Sequence, residues 1–249
     1  MIIVQVGQNP VDASLLITFE DRASDSPVVD RVWRSHSDRG GPFQSMASPN
    51  WGMVVTRLRG ETFLTVRGPE TMASIAQCPA EGEWVGVQFK VGTCMPLLAT
   101  ATRRDRNDLQ LPGLSGKTFA LDGSAWEYPS FDNIDSFVKR LVGRGLIVTD
   151  PHVRAVLLDQ RQGLSRRTEE RRFRRVTGLT RVAIRQIERA RSATLLLLQG
   201  RPATDVAYEL GYVDQAHMTR SLARFVGQTP GQIHRGGASL SLLYNPEDR

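Results

Sequence analysis

Alternating apolar and polar positions mark the first half of the chain as strand-forming. Residues 28–33, 52–58, 62–66, 71–75 and 84–89 are short runs of this kind, punctuated by Gly, Pro, Asn or Asp. A period of two puts successive side chains on opposite faces of a sheet, so these runs predict β-strands. Gly60-Glu61 and Gly68-Pro69 are the expected turns. Strands so short and so regularly interrupted predict a β-rich sandwich or barrel-like domain over residues 1–127, with the strand order left open.

The pattern then changes to a helical period. Residues 132–143 carry Ile134, Phe137, Val138, Leu141 and Val142 on one side. This predicts a helical linker within 128–150, either bridging the two halves or packing onto the back half. Asp150-Pro151 supplies an N-cap with Pro at the first helical position, predicting a helix to about residue 162. Gly163-Leu164-Ser165 turns the chain into an Arg-rich helix that ends at Gly178. Thr180 caps a helix running to about Gln199, with Val182, Ile187, Ala190, Ala193, Leu196 and Leu197 as its docking stripe. Gly200-Arg201-Pro202 breaks it. A short helix from Ala203, a turn at Gly211-Tyr212 and a second helix capped by Asp214 follow. Thr229-Pro230-Gly231-Gln232 reads as a capping-box start, and residues 237–249 form a tail.

Helix, tight turn and helix thus occur twice within 151–236, the spacing of two helix-turn-helix units on one rod. A connecting helix of about 20 residues is about 30 Å long at 1.5 Å per residue, against about 34 Å for one turn of B-DNA. The fold class expected is therefore α+β: the β-rich domain followed by an all-α domain whose two units are joined by a long helix.

Charge sharpens this division. Residues 1–150 hold 15 Lys and Arg against 17 acids, whereas 151–236 hold 16 Arg, no Lys and 7 acids. A near-neutral front half and a strongly basic back half point the back half at a polyanion, double-stranded DNA being the expected partner. Cys78 and Cys94 are the only cysteines, too few for a disulfide framework or a four-Cys zinc site. The first seven residues lack the basic and apolar regions of a signal peptide, and no apolar run approaches the length of a membrane span. A cytoplasmic protein with no membrane partner is expected.

Residues 151–236 resemble the C-terminal domain of the AraC/XylS family of transcription regulators. Ser165, Arg167, Thr168, Arg171, Phe173 and Gly178 carry the likeness in the first unit. Ala207, Gly211-Tyr212, Asp214-Gln215, His217, Arg220, Gly227 and Thr229-Pro230 carry it in the second. The front half resembles, more distantly, the sensor-like domains found ahead of such regulators, through Gly86-Val87-Gln88-Phe89-Lys90-Val91-Gly92. The resemblance implies base reading by Arg167, Glu170 and Arg171 in the first recognition helix and by Gln215, Ala216, Thr219 and Arg220 in the second. Their chemistry suits base recognition, since Arg pairs with guanine, Gln with adenine, and Glu accepts from the cytosine amino group. Arg166, Arg174, Arg175 and Arg224 are placed to grip phosphates, as are the helix starts at Thr180 and Thr229.

The chain departs from the family pattern at four positions. Glu169 stands where the family has Leu, four residues before Phe173, and Asp159 where a small Ala sits at a helix crossing. Met218 and Leu222 replace aromatics. A carboxylate on the inner stripe is costly unless it is paired or lies at an edge, so Glu169 puts base reading by the first unit in question.

Elsewhere the residues favour structural roles. His36 is the only histidine before residue 150, so a metal-binding sensor is not expected, and neither is any cofactor. No nucleotide loop or Ser-His-Asp arrangement stands out, and the Pro-Cys-His-Arg context of alkyl-transfer repair is absent, so no enzyme is expected. Both cysteines read as small core residues, with a thiol sensor as the alternative. His217 reads as structural. Trp33, Trp51, Trp84 and Tyr128 are the candidates for an effector pocket, against the commoner role of aromatics in the core. The resulting expectation is sequence-specific transcription control, activating or repressing. The front half would sense a small-molecule effector or mediate homodimerisation, and RNA polymerase is left open as a partner. The alternative is an interaction protein with a degraded first unit, acting through another regulator or polymerase.

Overall fold

The structure, a computed structural model, describes residues 17–98, 105, 109–158, 160, 163 and 165–236. Asp159, Leu164 and the expected tail at 237–249 lie outside the described residues, as do residues 1–16. In chain order the first strands are β1 (Thr18–Arg22), β2 (Val29–Ser37), β3 (Gly41–Ser45), β4 (Gly52–Leu58) and β5 (Glu61–Arg67). Next come β6 (Ser74–Cys78), β7 (Gly82–Phe89), β8 (Thr93–Cys94), β9 (Leu109–Gln110), β10 (Gly113–Ser115), β11 (Thr118–Leu121) and β12 (Ser124–Glu127). Helix α1 (Ile134–Gly143) and β13 (Val148–Thr149) lead to α2 (Pro151–Leu157), α3 (Arg166–Thr177), α4 (Arg181–Leu198), α5 (Ala203–Glu209), α6 (Gln215–Phe225) and α7 (Pro230–His234).

Six strands form one antiparallel sheet in the order β1-β2-β7-β4-β5-β9, which ends in two edges and so is open, not a closed barrel. The tight β4–β5 hairpin turns at Arg59 and Gly60, both with positive φ (50° and 81°), the pair of left-handed residues that a two-residue hairpin uses to match strand twist. The register aligns Val32 with Val87, Val87 with Met53, and Met53 with Val66. That face meets Phe119 and Trp126 of the β10-β11-β12 sheet and Phe137, Val138 and Leu141 of α1 in one apolar core. The helix within 128–150 therefore packs on the sheet, not on the helical half. Its apolar stripe is legible locally, whereas its partner is settled only when the whole chain packs.

The opposite face carries Trp33, Gly86, Val54 and Thr65 at paired positions. The Trp33 ring lies across Gly86 so closely that a Cβ there would come within 2.2 Å of it. Gly86→Ala is therefore expected to displace the indole and cost about 1–3 kcal/mol, measurable as a lower urea midpoint with unchanged slope.

The expected strand at 71–75 is found at Ser74–Cys78, paired with β3. Residues 71–73 spend their polar groups elsewhere: the Thr71 hydroxyl donates to Asp105 (2.8 Å) and the Ala73 N–H to the Arg224 carbonyl (2.8 Å). Helix α2 ends at Leu157, short of the expected 162.

A second core unites α2 to α7, built on Phe173, Ile184, Ile187, Leu197, Val206, Met218 and Leu222. Met46 and Ala47, just after β3, belong to it. Hydrogen bonds also cross between the halves: the Ala47 N–H donates to the Phe225 carbonyl (2.8 Å), and the Asp150 N–H to the Gly92 carbonyl (3.0 Å). Val182, expected on the inner stripe of α4, is 62% exposed. The stripe instead runs through Ile184, Ile187, Ala190, Arg191, Thr194 and Leu197, because 3.6-residue geometry turns Val182 away from Ile184.

Candidate nucleic-acid interface

The first unit is built on α2 and α3. Ser165 caps α3 by accepting from the Thr168 N–H (3.3 Å), and Gly178 ends it in the left-handed conformation (φ 74°). Phe173 and Thr177 face inward, and the Thr177 hydroxyl donates to the Phe173 carbonyl (2.9 Å). Arg172 turns back to clasp both oxygens of Asp150 (3.1 Å each), the carboxylate that also caps α2. Arg166, Arg167, Glu170, Arg171, Arg174 and Arg175 are left exposed along the outer side. Five cations against one carboxylate make this side strongly positive. Glu169 lies half-buried in the first turn of α3, where the helix dipole favours a negative charge. It sits at the edge of the inner stripe, not inside the core.

The second unit repeats the plan with different residues. Asp214 caps α6 by accepting from the His217 N–H (2.6 Å). Gly211 takes φ 67° in the turn, and its carbonyl accepts from Arg189 (3.2 Å), whose guanidinium also lies 4.3 Å from the centre of the Tyr212 ring. Met218, Leu222 and Phe225 bury the inner side of α6. Gln215, Ala216, Arg220 and Arg224 are exposed, while Thr219 is half-buried and donates to the Gln215 carbonyl (2.9 Å). His217 packs edge-on against Tyr212 and accepts from the Val213 N–H (3.4 Å), a part of the turn's framework. Asp214→Ala is expected to cost about 1 kcal/mol of stability through the lost cap, readable by thermal unfolding.

Between the units runs α4, 18 residues opened by Thr180, which accepts from the Ala183 N–H (3.1 Å). Thr229 opens α7 with a complete capping box with Gln232. Both threonines are half-buried, and each follows the glycine that closes a recognition helix by two residues.

The aromatic pocket candidates divide. Trp33 and Trp51 are buried and line a cavity of about 60 Å³ between the sheet and α4. Trp84 lines a separate open groove of about 630 Å³ with Phe19, Arg34, Arg57 and Phe131. Tyr128 stacks on Phe119 (5.2 Å) and lines neither. Burial pushes both cysteine thiols up from their ordinary range, and the Asp150 charge adds to the effect at Cys94. That disfavours the thiolate a reactive sensor needs. Among the described residues no group of three His, Cys, Asp or Glu is placed to hold a metal ion, and no helix is long and apolar enough to cross a membrane.

Sequence reasoning missed the seam between the halves. The carbonyls of Arg224 and Phe225, at the end of α6, accept from Ala73 and Ala47 of the β region, while the candidate base readers lie at the other end of the helix. Arg191, only 3% exposed, faces this seam from α4. Its position four residues after Ile187, on the apolar stripe, was the available signal.

Residues 158–236 match the family model described as a helix-turn-helix domain. The match is of AraC type and bears out the resemblance over this stretch, which is a DNA-binding domain of the kind that transcription regulators carry. No curated protein matches the chain, and no solved structure does.

Proposed function

We propose that the protein is a sequence-specific transcription regulator that reads DNA with α3 and α6. The observation that carries this reading is the outer surface of those two helices. Every arginine nominated from the sequence on either helix is exposed there, while Phe173, Met218 and Leu222 secure the opposite sides. Arg167, Glu170 and Arg171, and Gln215, Ala216, Thr219 and Arg220, are the proposed base readers; Thr219 contributes through its methyl group, since its hydroxyl donates within the helix. Arg166, Arg174, Arg175 and Arg224, with the helix starts at Thr180 and Thr229, are the proposed phosphate grips.

The 18 residues of α4 make a rod about 27 Å long, commensurate with a reader of successive major grooves about 34 Å apart. Residues 1–127 are proposed as a part that senses a small molecule or mediates dimerisation, joined through 128–150 to the reader at 151–236. For an effector to change DNA binding it must favour one arrangement of the two parts over another. The hydrogen-bonded seam at Ala47, Ala73 and Asp150 is where such arrangements would differ.

Selection of genomic fragments by the purified full chain, followed by footprinting, tests the reading. Two protected major grooves one turn apart are expected. A single groove would remove α3 from the role, and no enrichment over random duplex would overturn the reading.

A further inference from the structure

We infer that Val213 reads the C5-methyl group of a thymine, adding an apolar contact to the polar base reading proposed for α6. This deepens, and rests on, the proposal that α6 is a recognition helix. At 86% exposed, Val213 is the most exposed large aliphatic side chain among the described residues. It stands directly before Asp214, the N-cap of α6, at the end of the helix where Gln215 and Ala216 are also exposed. In a helix-turn-helix that end of the second helix meets the base edges.

The packing of the described residues gives no reason for an apolar side chain here. By spacing, Val213 and Met218 are the pair that forms a hydrophobic staple, in which the residue before the cap packs on the fourth residue of the helix. Met218 is fully buried, yet Val213 leaves its side chain in solvent, so the staple is not made. Tyr212, one residue earlier, enters the core beside Met218 instead. The backbone of Val213 is nevertheless held. Its N–H donates to His217 Nδ1 (3.4 Å), and His217 packs edge-on against Tyr212. The Arg189 guanidinium covers the Tyr212 ring and donates to the Gly211 carbonyl. A β-branched side chain also has little rotamer freedom. The turn thus presents a stiff apolar group at a fixed place, and seating it on a partner costs little conformational entropy.

The partner follows from chemistry. Valine can neither grip a phosphate nor hydrogen-bond a base edge. Among the groups that base pairs display in the major groove, the thymine C5-methyl is the apolar one. Contact with it takes apolar surface on both sides out of water. Against the polar edge of another base, valine would displace water without replacing its hydrogen bonds. Because Val213 precedes Gln215 by two residues, the thymine adjoins the base pair that Gln215 reads.

The test uses the full chain and a duplex recovered by the genomic selection. Each thymine in the protected major grooves is replaced in turn by deoxyuridine, which removes the methyl and leaves base pairing and the backbone intact. One replacement is expected to weaken wild-type binding about fourfold, as for one buried methyl-sized group. Val213→Ala is expected to keep the wild-type melting temperature, being a change at an exposed position. It should bind the thymine duplex about fourfold more weakly and lose nothing further when uracil stands at that one position. The proposal is overturned if every uracil duplex costs the two proteins the same, since Ala216 or Thr219 would then read any methyl that matters. A recovered site with no thymine in the protected grooves overturns it as well. So does equal weakening of specific and random duplex by Val213→Ala, the mark of a backbone contact. Unchanged DNA binding by the variant overturns it too, and leaves the side chain to a protein partner. Failure to recover any enriched duplex overturns the regulator reading together with this one, whereas an enriched duplex bound without regard to the methyl overturns this one alone.

Discussion

Replacing Arg171 and Arg220 together by alanine is expected to erase the preference for a specific site while leaving the protein folded. Both side chains are exposed, one on each recognition helix, and neither has a hydrogen bond or ion pair among the described residues. Their removal therefore breaks no hydrogen bond or ion pair among the described residues. An Arg that reads a guanine contributes about 1–3 kcal/mol of discrimination. Two such contacts on separate helices should add, for a combined loss of roughly 2–6 kcal/mol on the specific site. On random duplex the loss should be small. Arg174→Ala makes the contrast: as a phosphate grip it should weaken all duplexes alike and lower the salt slope by about one. Titrations of specific and random duplex at several salt concentrations check both. Equal losses on the two duplexes for the double variant would show that these arginines hold the backbone and do not read bases.

Phe173→Ala is expected to cost about 3–5 kcal/mol, the range for removing a fully buried aromatic. Phe173 is 1% exposed, and it anchors α3 in a core that continues without a break to Met218 and Leu222 under α6. Domains are commonly stable by only about 5–15 kcal/mol, so this one change uses up much of the reserve. Because both units share the core, the second should lose stability with the first, giving one unfolding transition shifted to lower urea. A loss under about 1 kcal/mol, the level of a surface change, would mean that α3 is anchored by something other than its phenylalanine.

Much of the helical half could be read from the chain because its signals are local. Asp150, Thr180, Asp214 and Thr229 each cap the helix expected of them. A cap needs only an extended residue and the next turn's N–H groups, all within about four residues. The outward arginines of α3 and α6 were legible for a similar reason: once Phe173 or Met218 faces inward, helical geometry fixes which neighbours face out. Glu169 was harder. Its spacing puts it on the inner stripe, but its depth is decided by tertiary packing, which leaves it half-buried. The strand at 71–75 was displaced because Asp105 and Arg224, distant in sequence, claim the polar groups of residues 71–73.

By itself, then, the sequence determined the order of the helices, the two helix-turn-helix repeats and the uneven charge, which follow from periodicity, short-range hydrogen bonding and composition. Only the tertiary structure decided that the sheet is open, that α1 packs on it, and that the end of α6 is hydrogen-bonded to the β region. It alone brought Arg191 to face Gln88 and Glu70 across a cavity. These are contacts between residues tens to more than a hundred positions apart. A local pattern can say that a side chain must be buried or a polar group satisfied, but which surface buries it is settled when the whole chain packs.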